Sequence, residues 1–140
     1  RLNGYVKALE KYGLEAEGEL ILTSRLMDED GIHCAEKLMK LPQLPDAIFV
    51  ANDIAAIAAM KLLKSKGIRI PEDIAIVGFS NEPIASVMEP SLTTMDQPGF
   101  DIGKEASRLL LDQIKNPDHK LNNDIVTVKS TLIVRESSVK

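Results

Sequence analysis

The chain has 140 residues, 44% of them hydrophobic and 27% charged, with a formal net charge of −4, the profile of an ordinary globular domain long enough to bury a core. The acidic balance and the lack of Lys/Arg blocks argue against a nucleic-acid-binding surface on this chain. A single cysteine, Cys34, excludes an internal disulfide and a cysteine-rich metal site, and no apolar run approaches the roughly eighteen residues of a membrane span.

The sequence opens at Arg1, without an initiating Met, directly in helix-like residues that have no strand before them. It reads as a fragment, so the lack of a leader carries no information. Leu2, Tyr5, Val6, Leu9 and Tyr12 recur at helical spacing, and Gly13 is a natural stop. Residues 20–23 form a short strand candidate. Asp28 or Asp30 is placed to cap a second helix that turns Ile32, Ala35, Leu38 and Met39 inward. A strand is predicted over 47–50. A helix capped by Asn52 then runs to Lys66 and ends at Gly67. It is apolar on most faces between Ile54 and Leu63, which calls for cover on more than one side.

Pro71-Glu72-Asp73 predicts a turn, and 74–77 an apolar strand of the kind buried on both faces in parallel sheets. A strand over 92–95 precedes a helix using Ile102, Ala106, Leu109, Leu110 and Ile114. Residues 116–124 read as a polar loop, and 125–128 and 131–134 as closing strands. Alternating strands and helices predict an α/β fold, a three-layer αβα arrangement around a mainly parallel sheet.

Three of these strands end abruptly in hydrogen-bonding side chains: Val50-Ala51-Asn52-Asp53, Gly78-Phe79-Ser80-Asn81 and Met95-Asp96-Gln97-Pro98. Ligands of open α/β sheets bind at the carboxyl ends of the strands, so the three endings point to a pocket for a polar small molecule. Asn52 suits a hydroxyl-rich ligand through its amide, but taken alone it is more simply a helix N-cap. Gln97, held extended before Pro98, is a ligand contact or an ordinary hinge residue.

The signs of catalysis fail. Gly78-Phe79-Ser80-Asn81-Glu82 resembles a nucleophile elbow but has Glu where the second Gly belongs. Neither His33, in a helix, nor His119, in the polar loop, is placed as a triad base. His33 and Cys34 are adjacent on a helix and diverge, which disfavours a shared metal. No phosphate-cradling glycine motif occurs, and Asp28-Glu29-Asp30 reads as a solvated helix start. The reading is a binding protein rather than an enzyme, with no cofactor and no metal.

Val50-Ala51-Asn52-Asp53, Ile70-Pro71-Glu72-Asp73-Ile74-Ala75-Ile76-Val77-Gly78-Phe79 and Leu92-Thr93-Thr94-Met95-Asp96-Gln97-Pro98 closely resemble the LacI/GalR family of bacterial transcription regulators. So do Gly103 with Ala106 and residues 109–111, Val134-Arg135-Glu136-Ser137, and Arg1 with Gly4 and Tyr5 at the start of the first helix. The resemblance implies the C-terminal part of a periplasmic-binding-protein-like (type I) effector core, truncated. Residues 1–95 would form its C-terminal subdomain. Residues 96–124 would be a hinge strand and a helix that packs in the other subdomain, and 125–140 terminal strands returning to the core. It implies a small polar effector, sugar-like, held by Arg1, Leu26, Asn52, Ser80 and Gln97. Leu26 offers an apolar wall where the family often has a stacking ring, and Ser80 a hydroxyl where it commonly has Asp.

By position, a homodimer surface would include Met27, Ile32 and Met88, although methionines there suit a core equally well. DNA would be bound only through a helix-turn-helix headpiece absent from this chain, and the protein would be cytoplasmic with no membrane contact. The helix over 100–115 would be swapped, repacked or mobile. The rival reading is a periplasmic sugar-binding protein of related fold; an enzyme is a distant third.

Overall fold

The computed structural model describes residues 1–116 and 125–139. Four helices, α1 (Leu2–Lys11), α2 (Asp28–Leu38), α3 (Asp53–Ser65) and α4 (Gly99–Lys115), accompany four strands, β1 (Ala47–Phe49), β2 (Ala75–Ser80), β3 (Thr93–Asp96) and β4 (Thr131–Ile133). The sheet order is β1-β2-β3-β4. β1, β2 and β3 are parallel, with Phe49 opposite Val77 and Ser80 opposite Asp96, and β4 is antiparallel to β3. This is the predicted α/β fold with a mainly parallel sheet. A parallel neighbour needs a crossover of a dozen or so residues. α3 supplies it between β1 and β2, and a 3-10 turn (Pro83–Ser86) between β2 and β3.

The core lies where α3 meets β2 and α2. Ala56, Ala59, Met60 and Leu63 pack with Ile70, Ile74, Ile76, Ala85 and Leu92, all buried. The apolar character of α3 is thus accounted for by burial on both sides, leaving Ile54 exposed at 46%. Small side chains let the helices approach: α2 presents Gly31 to the backbone of Ala55. On β2 only one face is fully buried. Ile76 and Gly78 are enclosed, whereas Ala75, Val77 and Phe79 on the opposite face remain half-buried.

Three local predictions are corrected. Residues 20–23 are not a strand: a 3-10 turn (Gly18–Leu20) leads into extended backbone at Ile21, and β1 pairs with β2 alone. An extended apolar run becomes a strand only when a partner edge lies in hydrogen-bonding register. Residues 125–128 are likewise irregular, with Ile125 87% exposed, because β4 occupies the free edge of β3. α2 is capped by neither Asp28 nor Asp30 as N-cap. Met27 holds that position, and Asp30 reaches back so that its Oδ2 accepts the Met27 N–H at 3.1 Å. Most of the predicted polar loop, including His119, lies outside the described residues.

The segment after β4 clamps the sheet. Ser137, fully buried, donates from Oγ to Ile76 O at 2.6 Å and accepts Thr93 N–H at 2.8 Å, linking β2 to β3. Glu136 Oε2 accepts the Ser91 N–H and hydroxyl at 2.8 and 2.9 Å. These two bonds, backbone first, hold the Glu136 carboxyl below its ordinary value, against a small opposing effect of burial. A lowered carboxyl stabilises the fold above the unfolded glutamate value near 4.3 and loses that contribution as pH falls through the folded value. The expected result is an acid-side decline in melting temperature that is shallower in Glu136→Gln, measured by circular dichroism melts between pH 3 and 6.

Candidate functional site

The carboxyl ends of β1, β2 and β3 meet at one edge of the sheet, where the chain brings together the predicted ligand residues. After β1, Val50 N–H bonds Val77 O at 2.8 Å. Alternation along a strand then turns the next carbonyl, Ala51 O, to the opposite side, where it accepts Arg1 Nη1 at 2.7 Å. Arg1 Nη2 donates to Gln97 Oε1 at 3.3 Å, and the guanidinium carbon stands 4.0 Å from the centre of the Phe79 ring. Arg1 therefore bridges the ends of β1, β2 and β3, held flat by the aromatic ring.

Asn52 takes up the capping role, one of its two readings. Its Oδ1 accepts the Ala55 N–H at 2.9 Å, capping α3, and its Nδ2 donates to Leu26 O at 2.7 Å. Leu26 has φ 63, a left-handed conformation uncommon for a non-glycine residue. The Asn52 amide thus fixes the backbone of Leu26 beside the site.

β2 ends in two more left-handed residues, Ser80 (φ 123) and Asn81 (φ 55). Such strain persists only where the surroundings over-determine it, and here they do. Asn81 N–H donates to Thr94 Oγ1 at 3.2 Å and its Nδ2 to Asp96 Oδ1 at 3.0 Å; Arg135 Nη2 donates to its Oδ1 at 2.8 Å. Arg135 Nη1 also donates to Leu92 O at 2.7 Å. Beneath the turn lies Asp53, wholly buried, whose carboxylate accepts Thr94 Oγ1 at 2.7 Å and Glu82 N–H at 2.8 Å. Ser80 Oγ, half-buried, has no hydrogen-bond partner among the described residues.

Arg1 and Gln97 are thus joined by one hydrogen bond and Asn52 and Leu26 by another, while Ser80, at the end of β2, makes no side-chain bond to either pair among the described residues. Sequence reasoning missed the supporting group: Phe79, Asp53, Thr94, Asp96 and Arg135. The one available signal was Asn81, since Asn after a strand tolerates positive φ. The predicted surface residues divide: Met27 and Ile32 are exposed at 60% and 40%, whereas Met88 packs against the core. His33 is exposed. Cys34 is half-buried in α2, where burial above all raises its thiol, Lys37 lowers it and Asp30 raises it. Among the described residues no three His, Cys, Asp or Glu side chains gather to hold a metal, and no helix is long and apolar enough to cross a membrane.

An apolar cleft of about 250 Å³ adjoins the site between α1, residues 20–26, α2 and β1, with Leu2, Ile21, Leu38 and Ile48 on its walls. Arg1 and Leu26 stand on it, but Asn52, Ser80 and Gln97 do not. Tyr5, Thr23, Ser24 and Asp30 also line this cleft and add polar groups to its otherwise apolar walls.

Residues 1–138 match the family described as periplasmic binding protein-like domain. The repressor CytR of Escherichia coli K12 is 39% identical over 115 residues, covering 82% of this chain and 34% of CytR. The NTD biosynthesis operon regulator NtdR of Bacillus subtilis 168 is 36% identical over 138 residues, covering 99% of this chain and 42% of NtdR. The structure of the regulator CelR in complex with cellobiose superposes with a TM-score of 0.89 at 33% identity, over 98% of this chain and 41% of that one. The chain spans well under half the length of each of these relatives. By the family match across nearly all its length and by these similarities, the chain belongs to the periplasmic binding protein-like domain family, in the form found in the effector-binding cores of LacI/GalR regulators.

Proposed function

We propose that the chain is the effector-binding and dimerising portion of a LacI-type transcriptional regulator. A small polar ligand is held at the carboxyl ends of β1, β2 and β3 by Arg1, Asn52, Ser80 and Gln97, with Leu26 as an apolar wall. The observation that supports this most is the placement of Arg1, fastened to Ala51 O, Gln97 and the Phe79 ring at the meeting point of three strand ends. Similarity to a protein named as a transcriptional repressor and to one named as an operon regulator supports the regulatory reading over a periplasmic transport protein, and with it a place in the cytoplasm and no catalytic role.

In this reading residues 1–95 form one lobe, 96–124 cross to a facing lobe, and 125–140 return. α4 suits that role: none of its residues is buried, and Phe100, Leu110 and Ile114 are exposed at 84%, 59% and 64%, an apolar stripe awaiting a partner. Met27 and Ile32 would lie on the dimer surface, and Met88, which packs against the core, would contribute only its partly exposed side. A ligand that binds one lobe orientation more tightly shifts that equilibrium, and in a dimer this changes the spacing of DNA-binding headpieces.

The test uses the full-length protein and a DNA fragment from upstream of its own gene. Gel-shift binding that is altered by a small molecule is expected, with the alteration lost in Arg1→Ala and Gln97→Ala. A protein that carries a cleaved export signal and binds no DNA is instead a periplasmic binding protein.

A further inference from the structure

Resting on the two-lobe reading above, we infer that Asn81 is a positioning residue. Its amide straps the turn at the end of β2 to both strands by which the chain crosses between lobes, so that turn and crossing move as one. The backbone of Asn81 is left-handed, at φ 55, which Asn tolerates better than most residues. Its side chain does more than that conformation requires. Asn81 Nδ2 donates to Asp96 Oδ1 at 3.0 Å, and Asn81 Oδ1 accepts Arg135 Nη2 at 2.8 Å. Asp96 is the last residue of β3, where the chain would leave this lobe, and Arg135 lies just past β4, on the returning chain. Toward that exit the two strands share a short ladder, ending in Asp96 opposite Thr131, with Thr131 and Leu132 exposed.

Asp96 and Arg135 form no ion pair with each other among the described residues. The Asn81 amide stands between them, its donor end on the carboxylate and its acceptor end on the guanidinium. An amide suits this place because it donates from one end and accepts at the other. Both bonds are charge-assisted, and each polarises the amide in the sense that strengthens the other. The turn is also anchored to the lobe itself: Asn81 N–H donates to Thr94 Oγ1 at 3.2 Å and Glu82 N–H to the buried Asp53 at 2.8 Å. Ser80, one residue earlier, has φ 123 and a hydroxyl with no partner among the described residues. Ser80 is thus free to meet a ligand, while the Asn81 amide is committed to the fold. A displacement of Ser80 reaches both crossing strands through one peptide unit and this amide, and by linkage a change in the crossing reaches Ser80.

The experiment is a spin-label distance measurement on the full-length protein. Cys34→Ala removes the native thiol, labels are placed at Glu36→Cys in α2 and Lys104→Cys in α4, both exposed, and labelled chains are diluted in unlabelled ones. The parent is expected to give one narrow distance. Asn81→Gly keeps the left-handed backbone without steric cost and removes only the amide, so its distances are expected to broaden or split into two populations. Asn81→Asp, which sets two carboxylates face to face, should do the same. The exchange Asn81→Asp/Asp96→Asn swaps donor and acceptor, leaves Arg135 its partner, and should restore the narrow distance. Melting curves confirm that each variant is folded. A residue kept only for its φ behaves differently: Asn81→Gly stays as narrow as the parent and the exchange rescues nothing. Either of those results overturns the inference, as does a parent that is itself broad. A narrow parent distance that matches α4 lying against this same lobe, in a protein that binds no DNA, overturns the two-lobe regulator reading instead.

Discussion

Gly31→Val is expected to lower stability by about 3 kcal/mol, near the upper end for overpacked sites. The reason is the crossing of α2 and α3. A Cβ built on Gly31 overlaps the Ala55 carbonyl oxygen and stands 2.8 Å from its carbon and 2.9 Å from its Cα. These are backbone atoms of a buried helix, so no side chain can swing aside, and the two helices must separate. Separation also loosens the contacts of Ala35, Ala56 and Ala59 in the core. Even Gly31→Ala, which gains about 1 kcal/mol of helix propensity, is expected to be net destabilising. The comparison is Gly103→Ala in α4, where nothing lies within 4 Å of the added atom; there the propensity gain stands alone and stability should rise. Urea denaturation of the three variants checks this, and equal behaviour of Gly31→Ala and Gly103→Ala would refute the close helix approach.

Asp53→Ala is expected to cost about 3 kcal/mol, through two buried donors left without an acceptor. Thr94 Oγ1 and Glu82 N–H both end on this carboxylate, and the residue is wholly enclosed. Gly78 makes the arrangement possible: a Cβ there would overlap Asp53 Oδ1 and stand 3.0 Å from Leu92 Cδ2. Gly78→Ala should therefore displace Asp53 and reproduce much of the loss. Asp53→Asn retains an acceptor for Glu82 N–H and can donate to the Thr94 hydroxyl, so a smaller loss is expected. Because Asp53 and Thr94 share one bond, the losses of Asp53→Ala and Thr94→Val should sum to more than that of the double variant. Melting temperatures of this set test the network, and strictly additive losses would contradict it. The same variants should loosen the turn at Ser80 and Asn81, which stands on this network, so weakened effector response is expected to accompany lost stability.

The contrast between these two sites and the strand ends shows where sequence reading reaches. Alternation of β-branched runs with helical periodicity located β1, β3 and all four helices within a residue or two, and β2 with its end three residues short, because burial of one face imposes those periods. The helix stops at Gly13 and Gly67 were legible for a similar reason: both have positive φ, 70 and 80, which glycine alone adopts at no steric cost. Residues 20–23 and 125–128 were misread because strand status depends on a partner edge, a property of the whole sheet that no local pattern contains.

By itself, then, the sequence determined the α/β class, the positions of most elements, and the polar endings of three strands at Asn52, Ser80 and Gln97, since strand polarity and capping preferences are local; Arg1 joined them only through the family resemblance. Only the tertiary structure decided what those side chains bond to. Asn52 is held by Leu26 and α3, Arg1 lies on Phe79 with neutral partners, and Asn81 is locked by Arg135 and Asp96. Such contacts join residues up to 96 positions apart. They depend on register, rotamer and the competition of several partners for each polar atom, which is settled only when all elements are in place.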